Sequence, residues 1–141
     1  MFIVEKRVRS SVTDSILVNR SPEVVFEFLR SVGNVTSWSW FRNVVPIDAN
    51  LYQAEDLDGV CRFFWTEDRR RLRLILHHTG HKDSPCLVLS VSGANGGSVV
   101  HFQFSSYKIS APCRRQLVTQ MNAMKAAVES FPTETQGRAA R

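Results

Sequence analysis

The segment Ile16-Leu-Val-Asn-Arg-Ser-Pro-Glu-Val-Val-Phe-Glu-Phe-Leu29 decides how the rest of the chain is read. It joins two periodicities. Residues 12–18, VTDSILV, alternate imperfectly and are rich in β-branched side chains, which predicts a strand. Asn19 and Arg20 then lead into a well-marked helix start. Ser21 is placed to cap, Pro22 suits the first helical position, and Glu23 complements the positive end of the helix dipole. Val25, Phe28 and Leu29 fall at i, i+3 and i+4 and form one apolar stripe. Gly33-Asn34 ends the helix. A second short helical turn over 34–41 carries the aromatic cluster Trp38, Trp40 and Phe41.

Past residue 44 the period changes to two. Strands are expected over 44–47, 51–57, 60–66, 71–78, 86–92 and 98–109. Turn signals separate several of them, at Asp58-Gly59, at Glu67 to Arg70 and at Gly93-Ala94-Asn95-Gly96-Gly97, with a loop from Gly80 to Pro85. The run Arg71-Leu-Arg-Leu-Ile-Leu-His-His78 puts Leu72, Leu74 and Leu76 on one face and Arg71 and Arg73 on the other. The connections are too short for crossover helices, so the sheet is antiparallel. Pro112 opens a final helix reaching about Phe131. Leu117, Met121, Met124, Val128 and Phe131 share one of its faces. The order predicts an α+β domain in which a curved antiparallel sheet is covered by this long helix. Residues 1–131 form that single domain, and 132–141 are read as a polar tail.

Composition bounds the function. The chain has 141 residues with 43% hydrophobic and 22% charged, ordinary values for one globular domain. No apolar run reaches the about 18 residues that span a bilayer. The N-terminus lacks the apolar core of a secretory signal, so a cytoplasmic protein is expected. The three cysteines are far apart in sequence and read as reduced, structural thiols. The net charge of +5 is scattered. Its densest run, Arg69 to Arg73, follows Glu67-Asp68 and reads as a solvated turn and strand face. Nucleic acid is not expected as a partner, because the aromatic residues are not interleaved with Lys or Arg. A protein- or RNA-docking role for the Arg69–Arg73 surface is carried as an alternative.

The segment 16–29 resembles the strand-to-helix entry of the START-related, Bet v 1-like superfamily (SRPBCC), in particular bacterial polyketide cyclase/dehydrase-like and lipid-transport-like proteins. The tryptophan about ten residues beyond the helix, at Trp38 or Trp40, and the terminal helix QLVTQMNAMKAAVES at 116–130 fit the same pattern. The resemblance implies a helix-grip fold with a hydrophobic cavity between the sheet and the C-terminal helix. It implies a largely apolar ligand, a lipid, polyketide or other aromatic compound; separately, no cofactor is expected.

Candidate ligand contacts follow from the faces assigned above. Phe28, Trp38 and Phe41 come from the helical segments. Phe63, Trp65, Leu74, Leu76, Phe102 and Phe104 come from the strands, and Leu117, Met121 and Met124 from the last helix. Trp40 and Leu89 are further wall candidates. Trp38 and Phe41, three residues apart, are expected to close the cavity's end together. His78 shares the face of Leu74 and Leu76 and is a candidate polar group there. A metal site within His77-His78-Thr79-Gly80-His81 is not expected, since neighbouring strand residues point to opposite faces. An enzyme of the cyclase, aromatase or dehydratase type needs proton-transfer groups beside the ligand. His78, His101, Tyr107 and Arg62 are the candidates. His101 and Tyr107 qualify only if the last strand turns its polar face inward, and burial of Phe102 and Phe104 favours the opposite register.

Overall fold

The computed structural model describes residues 10–56, 59–79, 85–107, 109 and 111–131. The expected tail past 131, His81 and most of the Gly80–Pro85 loop lie outside these residues. Seven strands form one antiparallel sheet: β1 Ser10–Val18, β2 Arg42–Asp48, β3 Leu51–Asp56, β4 Gly59–Asp68, β5 Arg73–Thr79, β6 Cys86–Ala94 and β7 Gly97–Ser106. Their spatial order is β1-β7-β6-β5-β4-β3-β2. Every consecutive pair from β2 to β7 is thus a hairpin, and β1 closes onto the last strand. Between β1 and β2 lie α1 Pro22–Arg30, a short 3-10 turn, and α2 Val35–Trp38. The 20-residue α3, Ala111–Ser130, follows the sheet. No described helix is long and apolar enough to cross a membrane.

The entry to α1 forms as its residues dictate. The Ser21 hydroxyl accepts from the Val24 amide at 3.4 Å, and Pro22 sits in the first turn. Phe26 is buried along with Val25, Phe28 and Leu29, so the packed face is wider than the expected stripe. Close approach fixes one glycine. A Cβ at Gly97 would lie 2.7 Å from the Val18 carbonyl oxygen, where β1 ends against β7. The β6–β7 hairpin closes on Asn95 and Gly96, both at positive φ (48° and 80°), as a two-residue turn of the type that matches strand twist.

The β4–β5 connection differs from expectation. The strand begins at Arg73 rather than Arg71. The Asp68 carboxylate accepts from the Arg70 and Arg71 amides at 3.1 and 3.3 Å, and Leu72 takes a φ of 49° to finish the turn. Asp68 thus offers the backbone a local partner that competes with the ladder. The edge strand β2 carries Pro46 and irregular register on both sides of Val45-Pro46, with Asn43 at positive φ. Such irregularities are tolerated at an edge, where one side of the ladder is unpaired.

The core lies between the sheet and the helices. β5 turns Leu74, Leu76 and His78 inward, β6 Leu87, Leu89 and Val91, and β7 Val100, Phe102, Phe104 and Ser106. α3 answers with Leu117, Met121, Met124 and Val128. The C-terminal half of α3 is pinned at the β1–α1 junction. Glu129 accepts from the Asn19 amide and from Lys125, each at 2.8 Å. Lys125 also donates to the Leu17 carbonyl at 2.7 Å, and the Arg20 guanidinium reaches the Glu129 carbonyl. Phe131 packs edge-on against Phe28 at 5.2 Å.

A two-pronged ion pair ties α1 to β4. Arg30 donates from Nε and Nη2 to both Glu67 oxygens, at 2.7 and 3.0 Å. Hydrogen bonding to Arg30 holds the Glu67 carboxyl below its ordinary value of 4.5. The pair's stabilisation is therefore present above about pH 4.5 and is lost as pH falls through the lower, folded-state value. Glu67→Gln is expected to cost about 1 kcal/mol at neutral pH, the upper end for a partly exposed pair. Thermal unfolding between pH 3 and 7 checks this, with the pH values on the order of the carboxylate titration range. The wild type should lose its margin over the variant at the acid end, and parallel curves would remove the pair from the stability account.

Candidate functional site

A cleft opens between the inner face of β6 and β7 and the stretch of α3 from Leu117 to Met124. Leu87, Leu89 and Phe102 form its floor, Leu117, Met121 and Met124 its roof, and Trp38 and Trp40 its end wall, with Gln120 beside them. Its cavity volume is about 20 Å³, within an empty space of about 310 Å³ that includes the open mouth. One or two waters fit as it stands. In this arrangement the cleft is too small for an organic molecule.

The end wall depends on where α2 stops. The helix ends at Trp38, and Ser39 is extended, with ψ at 175°. The Ser39 hydroxyl donates to the Val35 carbonyl at 2.6 Å and accepts from the Phe41 amide at 3.2 Å. Beyond Trp38 the side chains therefore alternate as in a strand. Trp38 and Trp40 both reach the cleft, and Phe41 turns away from it. Phe41 stacks on Phe63 at 4.5 Å and meets the edge of His78 at 5.7 Å. The expected pairing of Trp38 with Phe41 at the cavity's end assumed that the helix continues, and the early stop replaces it with Trp38 and Trp40.

Two polar features stand against this apolar lining. The hydrogen-bond network orients the Gln120 amide so that its nitrogen faces the Trp38 and Ser39 carbonyls, at 3.0 and 3.2 Å, while its oxygen accepts from Gln116 at 2.8 Å. This latches the middle of α3 to the end of α2. The Trp38 indole nitrogen is buried with no hydrogen-bond partner among the described residues. An unpaired buried donor costs about 1–3 kcal/mol.

Of the residues singled out in the sequence, Trp38, Trp40, Leu89, Phe102, Leu117, Met121 and Met124 line the cleft. Phe104 lies under Trp40, with ring centroids 5.8 Å apart. Phe28 clamps Phe131, and Leu74 pairs across the sheet with Leu89. Phe63 and Trp65 form a separate aromatic layer with Tyr52, and Leu76 lies opposite Trp65. These residues are buried core away from the cleft wall. Leu87 and Gln120 were missed. Leu87 carries the same alternation as Leu89 and was within reach of the sequence. Gln120 is a polar residue one turn before Met124, and no periodicity marks it.

The acid-base candidates disperse. His101 and Arg62 are exposed and Tyr107 is half-buried on the polar face of the sheet's end. β7 thus has the register that buries Phe102 and Phe104. His77 stacks on Phe64 at 4.6 Å on the outer face, whereas His78 is buried. His78 Nε2 lies 3.2 Å from Asp56 Oδ2. Cys61 is the third member of this group, and burial, followed by the Asp56 charge and hydrogen bond, pushes its thiol up to about 12. The Arg-rich turn is partly neutralised: Arg69 lies 3.4 Å from Glu27, and Arg71 lies 3.8 Å from Asp68.

No family model matches the sequence, and no curated protein matches it significantly. Solved structures do. The chain is similar to the Aha1 dimer of Colwellia psychrerythraea, with 15% identity and a TM-score of 0.69 over 86% of this chain and 97% of that one. It is similar to truncated norcoclaurine synthase of Thalictrum flavum, with 10% identity and a TM-score of 0.71 over 93% and 100%. It is also similar to the di-domain ARO/CYC StfQ of the steffimycin biosynthetic pathway, with 13% identity and a TM-score of 0.70 over 84% of this chain and 44% of that one. At these identities the likeness is one of fold: the chain has a helix-grip architecture.

Phe41 and Trp40 separate core from cleft experimentally. Phe41→Ala removes the ring stacked on Phe63 and is expected to cost about 3–5 kcal/mol. Trp40→Ala, at a half-buried position facing the cleft, is expected to cost less than half as much. Urea unfolding of the two variants measures the difference, and equal losses would contradict the division.

Proposed function

We propose that this protein binds a largely apolar small molecule in the cleft between β6–β7 and α3, as a carrier or sensor of that compound rather than as its catalyst. The observation that carries this reading is the unpaired indole N–H of Trp38, buried in a wall that is apolar apart from the Gln120 amide and the Trp40 indole. A ligand with one acceptor oxygen would satisfy that donor while its hydrocarbon or aromatic body lies between Leu89, Phe102 and Met121. Affinity then comes from apolar burial, and the single polar contact sets orientation. The two methionines in the roof adapt to irregular shapes.

Entry requires α3 to lift. Its C-terminal end, from Lys125 on, is fixed through Lys125, Glu129 and Phe131, whereas the stretch over the cleft is held by Leu117, Met121 and the Gln120 latch. A pivot about the fixed end enlarges the cleft without breaking the sheet. The fold supports the small-molecule part of this reading alone, since two proteins with this architecture are named as norcoclaurine synthase and as an ARO/CYC of a biosynthetic pathway. Binding is favoured over turnover because the residues lining the cleft include no titratable side chain, and proton transfer requires one within hydrogen-bond reach.

The test is a titration of the full chain with 1-anilinonaphthalene-8-sulfonate, followed by native mass spectrometry of the protein as purified. Dye fluorescence should rise on binding. Met121→Trp and Leu89→Trp, which fill the cleft, should weaken binding at least tenfold, while the exposed Val118→Ser should not. Trp38→Phe should weaken an oxygen-bearing ligand by about 2–10-fold, the equivalent of one hydrogen bond. Dye binding that is indifferent to both cleft-filling variants, each folded by circular dichroism, would overturn the proposal.

A further inference from the structure

Three side chains that no step above uses converge on the inner face of the sheet beyond Phe41. Asp56 and Cys61 flank the β3–β4 turn, and His78 lies near the end of β5. The register brings them together. Cys61 is opposite Ala54, and His78 is opposite Phe63. Asp56 is two residues from Ala54, and Cys61 is two from Phe63, so all three point to the same face. One oxygen, one sulfur and one nitrogen of this set lie within 4.8 Å of one another. The side chains of His78 and Asp56 are 4% and 6% exposed.

We propose that Asp56, Cys61 and His78 form a binding site for a divalent transition-metal ion, with zinc as the best chemical match. Tetrahedral zinc holds histidine nitrogen and carboxylate oxygen each at about 2.0–2.1 Å, which places those two ligand atoms about 3.3 Å apart. The observed His78–Asp56 separation is 3.2 Å. A zinc-bound sulfur, at about 2.3 Å from the metal, lies about 3.6 Å from the other ligand atoms. The 4.8 Å limit of the set is within about 1.2 Å of that spacing, so a small rotation of the Cys61 side chain completes it.

Charge and softness agree with the geometry. One thiolate and one carboxylate carry two negative charges, which a divalent ion neutralises in a buried setting, and imidazole completes a set suited to zinc. Metal binding displaces the Cys61 proton to solvent and forms a metal–sulfur bond. His78 then coordinates through the Nε2 lone pair and carries its proton on Nδ1. Three protein ligands leave a fourth position for water. A nucleophilic role for Cys61 fits less well, because burial first, and then the Asp56 carboxylate beside it, oppose thiolate formation in the absence of a cation.

The test uses Co²⁺ as a spectroscopic substitute on the chelator-treated full chain. One equivalent should produce a near-ultraviolet thiolate-to-cobalt absorption band that Zn²⁺ abolishes by displacement. Cys61→Ser should eliminate the band. His78→Gln and Asp56→Asn should each weaken binding by at least tenfold. In case a variant fails to fold, the wild type supplies a second readout: Zn²⁺ should protect Cys61, mapped by mass spectrometry, from alkylation and leave Cys86 and Cys113 unprotected. No band with excess Co²⁺, a band that survives Cys61→Ser, or protection mapping to Cys86 or Cys113 would overturn the proposal. The metal alone is the probe, so failure here leaves the cleft's ligand binding untouched.

Discussion

The apolar face of the sheet has to be covered, and that constraint organises the molecule. Inward residues of β4 to β7 present a continuous surface of aromatic and branched side chains. Left in water, each would forgo about 1.5–3 kcal/mol of burial. Among the described elements, α3 is the one long enough to lie along that surface, and its stripe Leu117, Met121, Met124 and Val128 is buried there. A cylinder and a curved sheet touch well along one line and poorly beside it. The contact is best at the pinned end, where Lys125 and Glu129 meet β1, and loosest near Leu117 and Trp38, where the cleft lies.

Much of this arrangement is legible in the residues. Ser21-Pro22-Glu23 marks a helix start through local chemistry alone, and Asn95-Gly96 marks a hairpin through the two positive φ angles it tolerates. The register of β7 follows from the preference for burying Phe102 and Phe104 over His101 and Gln103. These features depend on neighbours in sequence. What escaped depends on competition with distant or side-chain partners. Asp68 captures two backbone amides and delays β5, and Ser39 captures the Phe41 amide and ends α2 early. A single hydroxyl thereby exchanges the roles of Trp40 and Phe41.

The site was legible to a lesser degree, for a physical reason. Hydrophobic pattern identifies which side chains face inward, and Phe63, Leu74 and Leu76 are as inward as Phe102 or Met121. Pattern does not say where two inward surfaces fail to meet. That depends on the tilt of α3 over the sheet, which the fixed end and the Gln120 latch set. Gln120 is the polar residue closest to the cleft, and its importance comes from the Trp38 and Ser39 carbonyls it reaches. His78 illustrates the complementary case. Its inward direction follows from alternation, but its partners Asp56 and Cys61 come from another hairpin and meet it through strand register.

Phe41 divides the interior into two chemical compartments. One ring face stacks on Phe63, its neighbour Trp40 walls the cleft, and its contact with His78 borders the polar cluster. On the cleft side, the lining residues are apolar apart from the Gln120 amide and two tryptophan indoles. On the other side, a carboxylate, a thiol and an imidazole satisfy one another. Moving any of these ionisable groups into the cleft would require desolvating it beside hydrocarbon, at a cost of several kcal/mol. The aromatic partition therefore allows a greasy binding wall and a polar cluster to share one small core. It also explains why the residues that line the cleft include no titratable side chain, although three such groups lie in the same core.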